Sequence, residues 1–572
     1  MPRYALLLLL LAAVAPAADT VYPTVTIANA VAEVTVSSQR GSIDRFALLN
    51  EKTITLPKHL QRDLPPGKGL AVLGPLADPS APVSKGINQH NWLGNDTAAA
   101  TIYGLTGADF APWTIASSTT EAVTLTATSA KGLTYLLSYR MDPKKAAVAV
   151  HLEVRNSTAV AMALTPYLIP FNGIHQDFGP NEVAYLSAFW HQDQQIHSHT
   201  LPSAGTLDKV VEGPGPDYLG LKSRFFAAWM TPGKLVVEVP AGNVTAPVVP
   251  APEATGPGAS GPGSATSGPT NVPGAAPAYR VEVRGYSTSP HLDHQGLLSV
   301  TWATQQVPPG ATLVQEWSLA AASMTKASLA TLSDSERRIE VTDSMHKFFL
   351  VLTNAMTWVL SLIQSVVVNY GVAVLLLTLL VKAAMFKLTY KQHASMLKMQ
   401  KLAPDLKLIQ EQYKDDKQKL ATKQMELWKK HGVNPLGGCL PMLIQIPIFL
   451  ALYQTFQYSA DMRGASFLWV PDLTLPDQVW GMPLAFLNGW IFSVNPLPLV
   501  YIAVTIWTSM SMPMPTGGDP QQEQMAKTMR WMPVIFGVIF YNMPAGLVLY
   551  FTANAILSTL EVKFIRRRLG MA

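Results

Sequence analysis

From residue 345 onward the chain is dominated by long apolar runs, whereas residues 20 to 343 alternate between apolar and polar. A chain that crosses hydrocarbon must bond its backbone N–H and C=O groups internally, so runs of span length demand helices. The two parts must therefore fold by different rules. Over all 572 residues, 48% are hydrophobic and only 14% charged, a balance that suggests a membrane protein. The first part is nevertheless mixed in polarity and large enough to bury a core of its own.

The formal charge is +5. Much of the basic excess sits in residues 387 to 431 and at the extreme C-terminus, unlike the diffuse basic surface of a nucleic-acid binder. Cys439 is the single cysteine, so there is no intrachain disulfide and no cysteine-based metal cluster. The opening "MPRYALLLLLLAAVAPAADT" has a basic start at Arg3, a short apolar core and Ala15-Pro16-Ala17 of small-x-small form. Residues 1–17 read as a signal peptide or as a retained signal anchor. Either way, the segment that follows is exported.

Residues 18–343 read as an exported all-β domain. "VAEVTVSSQRGSIDRFAL" alternates and turns at Gly41, and "LTYLLSYRMD", "AVAVHLEVRN", "KLVVEVP" and "YRVEVRGYS" repeat the pattern. Strands at this density suggest a β-sandwich. Residues 241–278 are rich in Pro, Gly, Ser and Ala and read as a disordered surface insertion. Residues 325 to 343 suggest a short helix leading to the membrane. His191, His197 and His199 crowd "WHQDQQIHSHT", with His175 upstream. Such spacing can hold a metal, but no H-E-x-x-H pattern supports one, and a polar surface loop is the expectation. No phosphate loop or nucleophile elbow stands out, so no cofactor and no enzyme activity are expected.

Residues 344–363 carry Met345, Phe348, Phe349, Leu352, Met356 and Val359 at helical spacing, as expected of an interfacial amphipathic helix. An extension of the first span is the alternative. Asn369-Tyr370-Gly371 supplies a natural break before a span to residue 386. A lysine-rich stretch follows and marks the cytoplasmic side. Residues 388–431 read as a helical hairpin turning near Lys414-Asp415-Asp416. Its stripe of Met396, Met399, Leu402 and Leu406, continued by Ile409 and Tyr413, either packs against the second helix or offers a soft contact surface to apolar partners.

"NPLGGCLPMLIQIPIFLALYQTF" begins the next span, with Pro441 and Pro447 expected to interrupt or kink it. The loop from about 458 to 496 carries Arg463 alone among basic residues and so lies outside. Residues 497 to 513 return inward, "PTGGDPQQEQMAKTMR" is cytoplasmic, and two last spans join at Met543-Pro544-Ala545-Gly546. Arg566, Arg567 and Arg568 hold the end in the cytoplasm. This makes five spans, or six with a retained anchor, in a membrane core of residues 364–568 with a tail at 569–572.

One residue breaks the apolar pattern. Lys382 sits within "TLLVKAAMF", where a charge at membrane depth costs roughly 2.5–3.5 kcal/mol. It lies five residues from Lys387, about 7.5 Å along a helix, so it can either snorkel to water or serve as a buried charge. Thr378, one turn away on the same face, and Gln445 in the next span offer polar company for a wet cavity.

"NPLGGCLPMLIQIPIFLALY" (434–453), "MPVIFGVIFYNMPAGLVLY" (532–550) and the lysine-rich hairpin resemble the YidC family of membrane protein insertases, in its Gram-negative form. The exported β region resembles the family's large periplasmic domain, a β-supersandwich. The resemblance implies a polytopic α-helical membrane protein with a five-helix insertase core. It further implies a hydrophilic groove open to cytoplasm and lipid and closed on the periplasmic side. The family's groove charge is an arginine, and here that position is Lys382, which lacks the bidentate fork. Thr378 and Gln445 match polar groove positions, and Ile446, Phe449, Ile539 and Phe551 match positions lining the client path. The implied activity is non-enzymatic. The protein would insert, and help fold and assemble, inner-membrane proteins, alone or with the Sec translocon. Implied partners are nascent membrane proteins, the Sec translocon, the lipid bilayer and the ribosome, the last only weakly given the short tail; no nucleic acid is bound directly. The implied location is the bacterial inner membrane, with the β domain in the periplasm and the hairpin and C-terminus in the cytoplasm. A solute transporter would more often show internal repeats, and a tethered carbohydrate-active enzyme would need a carboxylate or histidine pair; neither is evident.

Overall fold

The computed structural model describes residues 23–38, 41–51, 70–73, 113–129, 131–172, 174, 186–201, 207–213, 215–240, 279–287, 294–340, 347–414, 416–432, 440–484, 490–511, 531 and 534–568. The expected signal segment 1–17, the insertion 241–278, His175, Cys439 and the tail 569–572 lie outside these residues. The chain divides into two compact units, one of strands and one mostly of helices.

The first unit is built on a nine-stranded sheet. Its order is β12 (Gln195–Thr200), β11 (Ser187–Gln192), β14 (Tyr218–Lys222), β15 (Phe226–Glu238), β19 (Thr312–Ser323), β8 (Ala147–Asn156), β7 (Leu133–Met141), β6 (Ala122–Thr128) and β5 (Thr114–Ser118). A four-stranded sheet runs β10 (Tyr167–Asn172), β17 (His294–Trp302), β16 (Tyr279–Ser287) and β13 (Leu207–Gly213). Another runs β1 (Thr24–Ala28), β2 (Ala32–Ser37), β3 (Ser42–Leu48) and β4 (Leu70–Leu73), and β18 (Gln305–Val307) pairs with β9 (Met162–Leu164).

Alternation in the sequence becomes alternation in burial. In β7, Leu133, Tyr135, Leu137, Tyr139 and Met141 point inward, and Tyr139 pairs with Val150 of antiparallel β8. The expected turn at Gly41 forms with φ +64°, a conformation that suits glycine. The Tyr139 hydroxyl donates to the Gly41 carbonyl, and Trp113 N–H donates to Ser38, fastening the N-terminal sheet to the large one. Asn156, wholly buried, donates to the carbonyls of Val160 and Val307 and accepts from Thr158.

The histidines correct the sequence reading. His191 is no surface-loop residue: it sits on β11, 2% exposed, with Nδ1 2.8 Å from Asp217 and its ring stacked 5.0 Å from Tyr218. His197 and His199 lie on the paired edge strand β12, and His197 stacks on Trp190. Among the described residues no cluster suited to a metal ion forms.

His151 on β8 meets two carboxylates, Glu316 at Nδ1 and Glu153 at Nε2, both at 3.0 Å. Partial burial disfavours its charge, but the carboxylates more than offset that and hold its pKa above the ordinary 6.5. A raised basic pKa stabilises the fold fully below pH 6.5 and loses its effect as pH rises through the folded value. The group is about a third exposed, so the effect is at most about 1 kcal/mol. An NMR titration should place His151 above 6.5, and Glu316→Gln should move it down.

In the second unit, α1 (Lys347–Val367) and α2 (Tyr370–Lys401) are divided at Val368, a β-branched residue at φ +59°. The expected break at Asn369 is a cap: Asn369 Oδ1 accepts from Val372 N–H. Gly371 is required there, because a Cβ would meet the Phe467 ring at 2.1 Å. Among the described residues, the expected segment 325–343 holds one helical turn, Lys326–Leu329, and a 3₁₀ turn, Glu336–Glu340.

Lysines 387 to 401 continue the α2 helix without interruption, so the first span and the start of the hairpin are one element. The chain breaks at Leu402, where Pro404 enters the first turn of α3 (Ala403–Gln412), and turns at Tyr413 into α4 (Lys417–Lys430), capped by Asp416. Leu402 and Leu406 are buried and the two hairpin helices pack together, while Leu408 and Met425 remain exposed. The side chains of Met396 and Met399 lie outside the described set.

Next come α5 (Leu440–Tyr458), which stays helical through Pro447, α6 (Pro496–Ser511), a helical segment at 534–539 and α7 (Ala545–Arg568). The connection before α6, read as plain loop, contains a hairpin of β20 (Trp480–Leu484) and β21 (Trp490–Val494). It also caps helices. Carbonyls of Leu475 and Leu473 accept the first amides of α7, and Asp477 accepts from Leu497 N–H at the start of α6 and from Trp469. Burial pushes the Asp477 carboxyl above its usual range, against the pull of those donors.

The helical core gathers Leu377, Leu452, Phe456, Phe540, Leu547 and Tyr550. Outside it stand exposed Trp358, Leu362, Leu379, Val538, Leu560 and Phe564. Soluble proteins seldom carry so much large apolar surface; it matches lipid. Among the described residues, Tyr370–Lys391 and Ala545–Arg568 are long and apolar enough to cross a bilayer, and Val351–Val367 and Pro496–Ser509 are shorter apolar helices.

Candidate functional site: a charged seam between helices

Helix α2 places Lys382 and Thr389 on one face, seven residues apart, and α7 places Ser558 and Glu561 on another, three apart. The two helices pack against each other, and the four side chains meet. Lys382 Nζ lies 2.6 Å from Ser558 Oγ and 3.4 Å from Glu561 Oε2. Thr389 donates its hydroxyl to the other oxygen of Glu561. The Ser558 hydroxyl donates its hydrogen bond to the Asn554 carbonyl, which leaves its oxygen free to accept from Lys382. The side chains of Lys382 and Glu561 are 18% and 7% exposed.

Magnitudes decide what this pair does. Two unit charges at that separation attract by about 4–5 kcal/mol at an effective dielectric near ~20. Desolvating both ions costs several kcal/mol each, so the pair adds little net stability, but losing one partner strands the other. Lys382 is therefore neither a snorkelling charge nor a bare cation in a cavity. It is one half of a half-buried ion pair.

Beside this pair, Thr508 of α6 and Thr559 of α7 bond through their hydroxyls at 2.9 Å, extending the polar seam to a third helix. Thr378 contributes less than expected. It is fully buried, and its hydroxyl donates to Val374 within its own helix. Gln445 lies near the Tyr550 hydroxyl, but among the described residues neither the amide nitrogen nor that hydroxyl makes a bond of proper geometry. Tyr550 stands eleven residues before Glu561, about 16 Å along the helix, so Gln445 occupies a separate polar level.

The expected client-path residues divide in two. Ile446 and Ile539 are 47% and 49% exposed. Phe449 and Phe551 instead pack against Phe540, at 6.2 and 5.0 Å, in an aromatic cluster that Tyr501 and Phe536 complete. Sequence reasoning missed Glu561, Ser558 and Thr389. A signal existed for Glu561: it is the one acidic residue in "AGLVLYFTANAILSTLEVKFIRRR", and a lone acid in an apolar run asks for the same explanation as a lone lysine.

Two family models match. One, described as "60Kd inner membrane protein", covers residues 362–571, and the other, "YidC periplasmic domain", covers residues 24–247. Proteins called membrane protein insertase YidC match at 41% identity over 221 residues in Pelobacter propionicus and 42% over 218 residues in Methylobacillus flagellatus. Each match covers 38% of this chain, and 39% and 36% of those relatives respectively, well under half of their length. A solved active YidC insertase aligns over 98% of this chain and 99% of its own at 16% identity, with a TM-score of 0.32, too low to bear on the fold. The first model lies in the helical unit and the second in the β unit, and over these two stretches the chain is similar to the YidC family, in the form that carries a periplasmic domain.

Proposed function

We propose that this protein is a membrane protein insertase of the bacterial inner membrane, acting without covalent chemistry. The observation that carries the proposal is a charged, polar seam between apolar helices of a chain whose relatives bear the insertase name. Five spans form the core, residues 18–343 form a periplasmic β-supersandwich, and the hairpin 388–431 and the C-terminus face the cytoplasm. The helix-capping connection through Leu473, Leu475 and Asp477 suits a groove closed on its periplasmic side. A client's hydrophilic tail enters from the cytoplasm, where polar groups lower its dehydration barrier, and its apolar segment passes into lipid beside Ile446 and Ile539. Lipid partitioning, and membrane potential acting on charged tails, supply the energy. Chaperone action on nascent membrane proteins, cooperation with the Sec translocon and a weak ribosome contact complete the proposal.

The test uses purified protein in liposomes with a single-span client bearing an acidic translocated tail. Protease protection of the tail should appear in vesicles carrying the protein and stay at background in empty vesicles. Equal protection in both, with a client of proven competence, would refute independent insertion.

A further inference from the structure

We propose that Glu561 sets the charge specificity of this protein toward client tails, by occupying Lys382 until an acidic group of the client takes its place. The proposal rests on the insertase reading and deepens it.

The geometry is that of a contact made to be exchanged. Charge-assisted N–H to carboxylate bonds are ordinarily about 2.7–2.9 Å long. The Lys382–Glu561 contact, at 3.4 Å, is longer, whereas the bond to Ser558 is 2.6 Å. Ser558 thus fixes where the ammonium stands, and Glu561 supplies charge more loosely. An ammonium has three donors, and among the described residues two of them are engaged. The third can meet an arriving carboxylate before Glu561 lets go.

Displacement leaves the ammonium close to Glu561, unlike a substitution that removes Lys382. The other oxygen of Glu561 is held by the Thr389 hydroxyl, on the same helix as Lys382, so the carboxylate keeps a donor while the ammonium changes partner. Lys382 remains partly exposed, so the exchange needs no unfolding of the seam. A bare cation would attract every anion and hold it. A cation with an internal carboxylate still takes a client carboxylate but holds it less tightly, and releases it when Glu561 returns. The partner's chemistry is therefore a peptide tail bearing carboxylates. A neutral polar tail draws little on the ammonium, with Glu561 present or removed.

The experiment compares two single-span clients that differ only in the translocated tail, one with Asp and Glu, the other with Asn and Gln. Vesicles of phosphatidylcholine, held without a membrane potential, remove anionic headgroups as a rival source of charge. Wild type, Glu561→Gln, Glu561→Asp and Thr389→Val are scored for protease protection, and for binding of fluorescent peptides carrying each tail. Glu561→Gln should raise the acidic-to-neutral ratio by about five-fold or more, the low end of typical coupling between sites. Glu561→Asp should stay close to wild type. Thr389→Val, which keeps both charges but takes from a displaced Glu561 its other donor, should make the exchange costlier and lower the ratio, and it decides the matter should Glu561→Gln not fold. An unchanged ratio, or equal loss for both tails, would overturn the proposal and leave Glu561 a purely structural counter-ion. If wild type inserts neither client, the insertase reading fails separately, and the binding arm still decides whether Glu561 governs access to Lys382.

Discussion

Lys382→Ala is expected to destabilise the helical unit by roughly 3–5 kcal/mol, because it leaves the Glu561 carboxylate buried without its cation. The size follows from desolvation and not from the worth of the pair. Removing both charges, as in Lys382→Met with Glu561→Leu, should therefore recover most of the loss. Denaturant unfolding in mixed micelles, followed by tryptophan fluorescence, measures both variants. A double variant as unstable as the single one would show that the pair is held by something other than mutual compensation.

Phe540→Ala is expected to cost about 3–5 kcal/mol, the usual range for emptying a buried aromatic site. The ring is 2% exposed and touches Phe449, Tyr501, Phe536 and Phe551, which come from four segments of the unit. Those neighbours are too large and too mutually constrained to collapse into the space. The adjacent Ile539, half exposed, makes the control, since Ile539→Ala should change stability by no more than about 0.5 kcal/mol. The same unfolding measurement separates the two. Equal losses would mean that residue 539 is covered in the folded protein and is no part of an open path.

Local pattern carried the sequence reading a long way, and its failures have a common cause. Strands β7, β8 and β16 were legible because period-two burial is written directly in the residues. The cap at Asn369 and the hairpin turn near Lys414 were legible because turn chemistry is local. Lys382 was visible as a contradiction within nine residues. Glu561, 179 positions away, was not, since nothing in a helix names the neighbour that it will meet. Thr378 and Phe449 carry their groove assignment by resemblance alone; locally, Thr378 bonds within its own helix and Phe449 packs against Phe540. His191 failed for the opposite reason. A polar neighbourhood suggested a loop, yet one carboxylate and one aromatic ring suffice to bury an imidazole on a strand.

The unbroken course of α2 has a mechanical meaning. Its 32 residues make a rod about 48 Å long, against about 30 Å of bilayer hydrocarbon. Lys382 stands about 28 Å from the far end, where Leu402 is the first joint. Because no joint lies between them, a load applied to that end is transmitted as tilt or rotation to the ammonium itself. The lysine-rich half of α2 and the charge at Lys382 thus belong to one continuous rod.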